Sequence, residues 1–144
     1  MFLQDVVNRG SMPALEKMLA FTQARHQVLA ENVANVDTPG YRTQQLDTDA
    51  FQASLRKALD RRKATRSPDF KMTSTSQFSQ DRAGRLQVTP TLEPTENILF
   101  HDGTNIRVEK QMSMMAENAM MHQLMSELMR GKFEGLLKAI RGRM

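Results

Sequence analysis

The side chains most able to hold a metal or move a proton in this chain are its three histidines, His26, His101 and His122. Two imidazoles can begin a metal site, but a zinc centre needs three or four donors, and no carboxylate or thiol stands beside these at ligand spacing. His26 and His122 each fall on the apolar face of a helical stretch, so packed or hydrogen-bonded core histidines are the simpler reading. Asp37, Asp47 and Asp49 could suggest paired carboxylates; Asp47 or Thr48 as a helix N-cap explains them more economically. The glycines at 10, 40, 84, 103, 131, 135 and 142 form no phosphate-cradling loop. Neither HExxH nor GxSxG occurs. The run Arg61-Arg62-Lys63-Ala64-Thr65-Arg66 could touch nucleic acid, but no aromatic residues interleave it to stack on bases, and a solvated helix end accounts for it. The expectation is a chain with no catalytic, cofactor-binding or metal residues, no cofactor and no enzymatic activity.

The totals agree. The chain has 144 residues, 40% hydrophobic, 6% aromatic and without Trp, which is thin for a globular enzyme. Methionine is frequent, 12 in all, and 7 of them lie between Met112 and Met129. Met suits irregular helix surfaces that can re-pack against different neighbours. The net charge of +4 permits an anionic partner without demanding one. The basic end, Arg130, Lys132, Lys138, Arg141 and Arg143, complements a helix C-terminus. There is no cysteine, so disulfides and thiolate sites are excluded. No stretch approaches the ~18 apolar residues of a membrane span, and the opening MFLQDVVNRGS lacks the plan of a secretory signal.

Two long helices must dominate. After the breaker cluster Asn8-Arg9-Gly10-Ser11, Pro13 suits a first helical turn, and the pattern runs to about Asn35. Leu15, Met18, Leu19, Thr22, His26, Leu29, Val33 and Val36 share one face, with Phe21 and Val28 to its side. A second helix is expected from Asn105 as N-cap to about Ile140. Its seam, Val108, Met112, Met115, Ala119, His122, Ser126, Met129, Phe133, Leu136 and Ile140, alternates at fours and threes. Met121, Leu124, Met125, Leu128 and Leu137 form a second stripe, which we expect to meet neighbouring subunits. The division is residues 1–41, a variable and partly flexible middle at 42–104, and 105–144. The middle should carry a short helix at 48–60, a mobile Ser/Thr/Gln-rich run and weak strand alternation at 85–89. The fold class is mainly α: terminal helices paired in a coiled-coil-like bundle, an irregular middle and little β.

Between the first helix and the middle lies ENVANVDTPGY, residues 31–41. Asn32 and Asn35 are poor helix formers on one flank, and a buried Asn on a helix seam fixes register. Pro39 disfavours helix at Thr38, and Pro39-Gly40 suits a type II turn if Gly40 takes positive φ. Tyr41 can fold its ring onto the helix end with its hydroxyl in water.

This stretch resembles the N-terminal signature of the flagellar rod, hook and hook-associated axial proteins, with Asn32, Asn35, Asp37, Thr38, Pro39, Gly40 and Tyr41 as the turn motif. The C-terminal FHDG-x-N, V-E-K-x-M-x-x-M-A-E-N and K-x-x-x-L-x-x-A-I-R-G-R, at 100–118 and 132–143, look like the proximal-rod type. The resemblance covers a little over half the chain and is weakest at 61–80. It implies a structural subunit of the flagellar basal-body proximal rod, assembling through its terminal helices around an export channel. The assembly residues would be Leu15, Leu19, Leu29, Val33, Met112, Met115, Ala119, Leu124, Leu128, Phe133, Leu136 and Ile140. The implied partners are further copies, other rod proteins, the membrane ring and ring–rod junction proteins and the flagellar export gate, with no nucleic acid and no membrane span. The implied location is the periplasmic rod, reached from the cytoplasm without a cleaved signal peptide. From composition alone the rivals are a small basic helical nucleic-acid-binding protein and a helical regulator or secretion chaperone.

Overall fold

The computed structural model describes residues 10–65, 69–94 and 108–142. Its elements run α1 (Met12–Ala34), β1 (Gln44–Gln45), α2 (Thr48–Thr65), β2 (Phe78–Gln80), β3 (Leu86–Val88), β4 (Thr91–Leu92) and α3 (Val108–Arg141). The expected N-cap Asn105 and the stretch 100–107 lie outside the described residues, as do His101 and residues 1–9. The architecture is mainly α with paired terminal helices, as the sequence predicts.

Helix α1 starts with Pro13 in its first turn, where a missing N–H costs nothing. It runs antiparallel to α3. Asn32 meets Gln111, Arg25 lies 3.8 Å from Glu117, and Thr22 meets both Asn118 and His122. That register puts the first turn of α1 opposite the stretch around Arg130, so the last turns of α3 extend beyond α1.

The sequence reading put Phe21 and Val28 at the side of the α1 stripe; in the structure they belong to the central core. Helix α1 is covered on two sides, by α3 and by the middle of the chain. A wheel drawn for one partner therefore points between the two. Phe21 stacks on Phe51 at 4.0 Å between centroids, and Phe78 meets both rings edge-on at 5.7 and 5.4 Å. Offset and edge-on pairs of this kind add to the burial of large apolar surface. Leu46, Leu55, Ala58 and Met72 complete the cluster. The middle segment thus supplies most of the core.

Helix α2 is longer than expected and includes Arg61–Thr65. Arg, Lys and Ala are good helix formers, and the Arg62 guanidinium donates to the Gly10 carbonyl at 2.9 Å. Asp47 is its cap: its carboxylate accepts from the Ala50 N–H at 2.8 Å. The polar run after α2 also holds more order than its composition suggests. Strands β2 and β3 pair antiparallel, Phe78 opposite Val88 and Gln80 opposite Leu86. The hairpin turns at Gly84 (φ 77°), and the Asp81 carboxylate accepts from both the backbone and the side chain of Arg85 at 2.8 Å. Strand β1 pairs antiparallel with β4. Buried Gln77 ties the two ribbons together, accepting from the Asp47 N–H and donating to Thr91 Oγ1 and the Gln45 carbonyl. Local composition misses this because Gln77 is satisfied by groups distant in sequence, on Gln45, Asp47 and Thr91.

Candidate functional site

The turn after α1 is built as the residue types require. The helix ends at Ala34, the Thr38 N–H donates to the Asn35 carbonyl, and the Tyr41 N–H donates to the Thr38 carbonyl at 3.2 Å. Pro39 and Gly40 occupy the corner, with Gly40 at φ 74°. Positive φ at the second corner position is the mark of a type II turn and favours glycine.

The centre of the site is Asn32, which is wholly buried. Its amide nitrogen donates to the Gln44 carbonyl at 2.8 Å and to Gln111 Oε1 at 3.1 Å. Its oxygen accepts from the Gln44 N–H at 2.9 Å and from the Tyr41 hydroxyl at 3.2 Å. Both groups of the side chain are therefore used fully. One residue fastens the end of α1 to the turn, to β1 and to α3. The half-buried Tyr41 thus donates its hydroxyl hydrogen into this network. Burial first, then the Glu31 charge, raises its pKa above the ordinary 10.0. Asn35 is only half-buried and bonds back to the Glu31 carbonyl. Asp37, Thr38 and Pro39 are exposed.

A second clasp lies beside the first. Glu93 accepts from Thr43 Oγ1 at 2.8 Å and from Lys110 Nζ at 2.6 Å, and its N–H donates to the Thr43 carbonyl. Burial raises this carboxyl's pKa, but the bonds from Lys110 and Thr43, with the Lys110 charge, outweigh it and leave the pKa lowered. The end of β4 is thereby tied to the first turn of α3.

Helix α3 is inverted relative to an ordinary amphipathic helix. Its only fully buried residues among those described are polar, Gln111 and Asn118. Many of its large apolar side chains face out: Met112 is 53% exposed, Met120 67%, Leu124 49%, Leu128 47%, Phe133 45%, Leu137 51% and Ile140 49%. Contact with α1 runs through Gln111 and Asn118, seven residues apart. The a positions of the expected seam, Met112 and Ala119, sit one residue further on and are exposed. Met115, His122 and Met129 of that seam are half-buried, as is Leu136. On α1, Leu15 and Leu29 are buried, and Leu19 and Val33 half-buried. The seven-residue interval from Gln111 to Asn118 was the available signal for a polar seam. A search for apolar heptads passes over it.

His26 and His122 do come to one place, a cleft between α1 and α3, though His26 is exposed rather than packed in a core. No group of three or more His, Cys, Asp or Glu that could hold a metal occurs among the described residues. Also among them, no helix is long and apolar enough to cross a membrane.

A family model described as flagella basal body rod protein matches residues 19–42, the second half of α1 and its turn. The chain is 29% identical over 131 residues to the flagellar basal body rod protein FlgB of Escherichia coli strain K12, spanning 87% of this chain and 88% of that one. It is 28% identical over 137 residues to FlgB of Bacillus subtilis strain 168, spanning 92% and 95%. It is 24% identical over 127 residues to FlgB of Borrelia hermsii, spanning 88% and 92%. These matches support a flagellar basal-body rod protein of the FlgB type. The family is structural, not enzymatic. The matched residues include Asn32 and Tyr41, two members of the clasp.

Proposed function

We propose that this rod subunit assembles through the outward apolar face of α3, packed against the terminal helices of neighbouring copies and other rod proteins. The supporting observation is the inversion of α3, whose two buried residues, Gln111 and Asn118, are polar while Met120, Leu124, Leu128, Phe133 and Ile140 are exposed. Covering a Leu or Phe of this kind contributes roughly 1.5–3 kcal/mol, so a row of them drives association even if each is half-covered already. Assembled copies enclose an export channel at the proximal end of the rod. There the subunit links the rod base to the membrane ring and the export apparatus, in the periplasm. It travels from the cytoplasm by the flagellar export route without a cleaved signal peptide.

The test is made on cells. The gene is deleted, and basal bodies are isolated and imaged by electron microscopy beside the parent and a complemented strain. Rings without rods, hooks or filaments, restored by complementation, are the expected result. Complete flagella in the deletion strain would sink the reading.

A further inference from the structure

Helix α3 is electrically divided along its length. Between Gln111 and Met129 it has no Lys or Arg, and its acids are Glu117 and Glu127. From Arg130 to Arg141 it has Arg130, Lys132, Lys138 and Arg141 against a single acid, Glu134. All of these side chains are exposed. None of the four cations has an ion pair among the described residues. The helix dipole accounts for Lys138 and Arg141, which stand in the last turn. It does not account for Arg130 and Lys132, because the effect fades within the last turn and these stand well before it.

Two apolar surfaces coincide with this division. At about 100° per residue, Phe133, Leu136 and Ile140 return to within about 40° of Gln111. They continue the side of α3 that meets α1, but beyond the point where α1 starts; Phe133 and Ile140 are exposed and Leu136 half-buried. Lys132 flanks this surface on one edge, Arg130 and Arg141 on the other. The second surface is Met120, Leu124 and Leu128, exposed in the middle of the helix and turned away from α1. Glu117 stands among these residues and Glu127 at their edge. Glu117 lies 3.8 Å from Arg25 and its side chain is 65% exposed, and Glu127 accepts from Gln123 Nε2 at 3.3 Å. A carboxylate has sites for several donors, so both can take a further cation.

We propose that copies of this chain meet staggered along α3. The basic-edged apolar end of one copy, Phe133, Leu136 and Ile140, packs on the acidic-edged apolar middle, Met120, Leu124 and Leu128, of the next. An apolar centre with a charged rim is the ordinary anatomy of a protein interface, and opposite charges on the two rims fix its register. The same charges exclude the simpler pairings. Two α3 helices side by side in register set Arg130 and Lys132 against their own counterparts, and Glu117 and Glu127 against theirs. Two ends packed antiparallel set basic on basic. The stagger is about 12 residues, or about 18 Å of helix. Its two surfaces differ, so the contact is heterologous and extends into an open array instead of closing into a pair. This inference rests on the reading that subunits assemble through α3, and adds which part of the helix meets which.

The test is a charge swap in the purified full chain, read as self-association by sedimentation. Arg130→Glu with Lys132→Glu makes the end acidic; Glu127→Lys makes the middle basic. Each change should weaken self-association about tenfold at unchanged helicity, because like charges then face each other. An equimolar mixture of the two variants should recover to within about threefold of the parent, since the acidic end of one fits the basic middle of the other. Unweakened association in either variant, a mixture no stronger than its components, or a parent that does not self-associate overturns the proposal. The register is read separately in this cysteine-free chain. Leu124→Cys and Leu136→Cys chains, one carrying a size tag, are mixed and mildly oxidised. The mixed disulfide should exceed either self-pair several-fold; self-pairs in excess would mean that like parts of α3 meet, and the stagger would be wrong. If the swap fails while Leu128→Glu still abolishes motility, the stagger alone falls. Wild-type swimming of Leu128→Glu cells would instead remove assembly through α3.

Discussion

Asn32 shows how much one side chain can fix. Leucine at this position has similar volume but supplies none of the four hydrogen bonds, and leaves both backbone groups of Gln44 without their partner. Asn32→Leu should lower stability by about 3 kcal/mol in urea denaturation, because buried polar groups left unpaired are expensive. Asn35→Ala, which loses one half-exposed bond to Glu31, should lose less than about 1 kcal/mol. Equal losses would mean that Asn32 is no hub. Glu93 makes a prediction in pH. Its folded pKa lies below the ordinary 4.5, so the unfolded chain binds the proton more readily. The clasp's contribution is therefore full above that value and lost as pH falls through the lowered folded pKa. A stability profile from pH 7 to 3 should fall at its acid end, and Glu93→Gln should flatten that fall. An unchanged profile in the variant would assign the acid loss to other carboxylates. At this scale the motif residues were legible in the sequence, because Pro and Gly restrict the backbone wherever they stand. The partners were not. Nothing local to Gln44, Gln111 or Glu93 says that Asn32 or Lys110 will arrive from 12, 79 or 17 positions away.

At the scale of elements, the turn at 38–41 is the joint that sends the chain from α1 back along it as β1. A Cβ built on Gly40 would meet no atom within 4 Å, so space is not the constraint there; its φ of 74° is. Gly40→Val should therefore cost about 1–2 kcal/mol through the backbone alone, read as a lowered midpoint of thermal unfolding. Gly40→Asn should cost less, since Asn visits this region more readily. If Val and Asn behave alike, the turn does not hold the geometry described. Helices α1 and α3 were readable because long periodic stretches with a capping proline or a run of apolar fours and threes leave few alternatives. The face that each buries was not. Phe21 looked like a flank because the wheel assumed one partner, and the core formed where Phe51 and Phe78 arrived from the middle. The polar run around Gln77 looked loose because its order depends on Gln45, Asp47 and Thr91.

For the whole molecule, the decisive feature is the row of apolar residues that this chain leaves uncovered. Leu128→Glu should leave the stability of the isolated subunit within about 0.5 kcal/mol of the parent, as surface substitutions do, yet abolish motility by placing a charge in an apolar contact between subunits. Met115→Glu stands on the half-buried side of the same helix and should reduce both motility and the thermal midpoint. Wild-type swimming in Leu128→Glu cells would remove the outward face from the assembly argument.

The sequence by itself determined the two long helices, the turn between α1 and β1 and the family resemblance, because these follow from periodicity, from backbone restriction at Pro39 and Gly40, and from a motif at the end of one helix. Only the tertiary structure decided which face of α3 turns inward. Both the apolar stripe and the Gln111–Asn118 seam have helical spacing. The choice between them depends on the polar partners that Asn32 and Thr22 present from α1, 79 and 96 positions away along the chain, and is visible only once the two helices lie side by side.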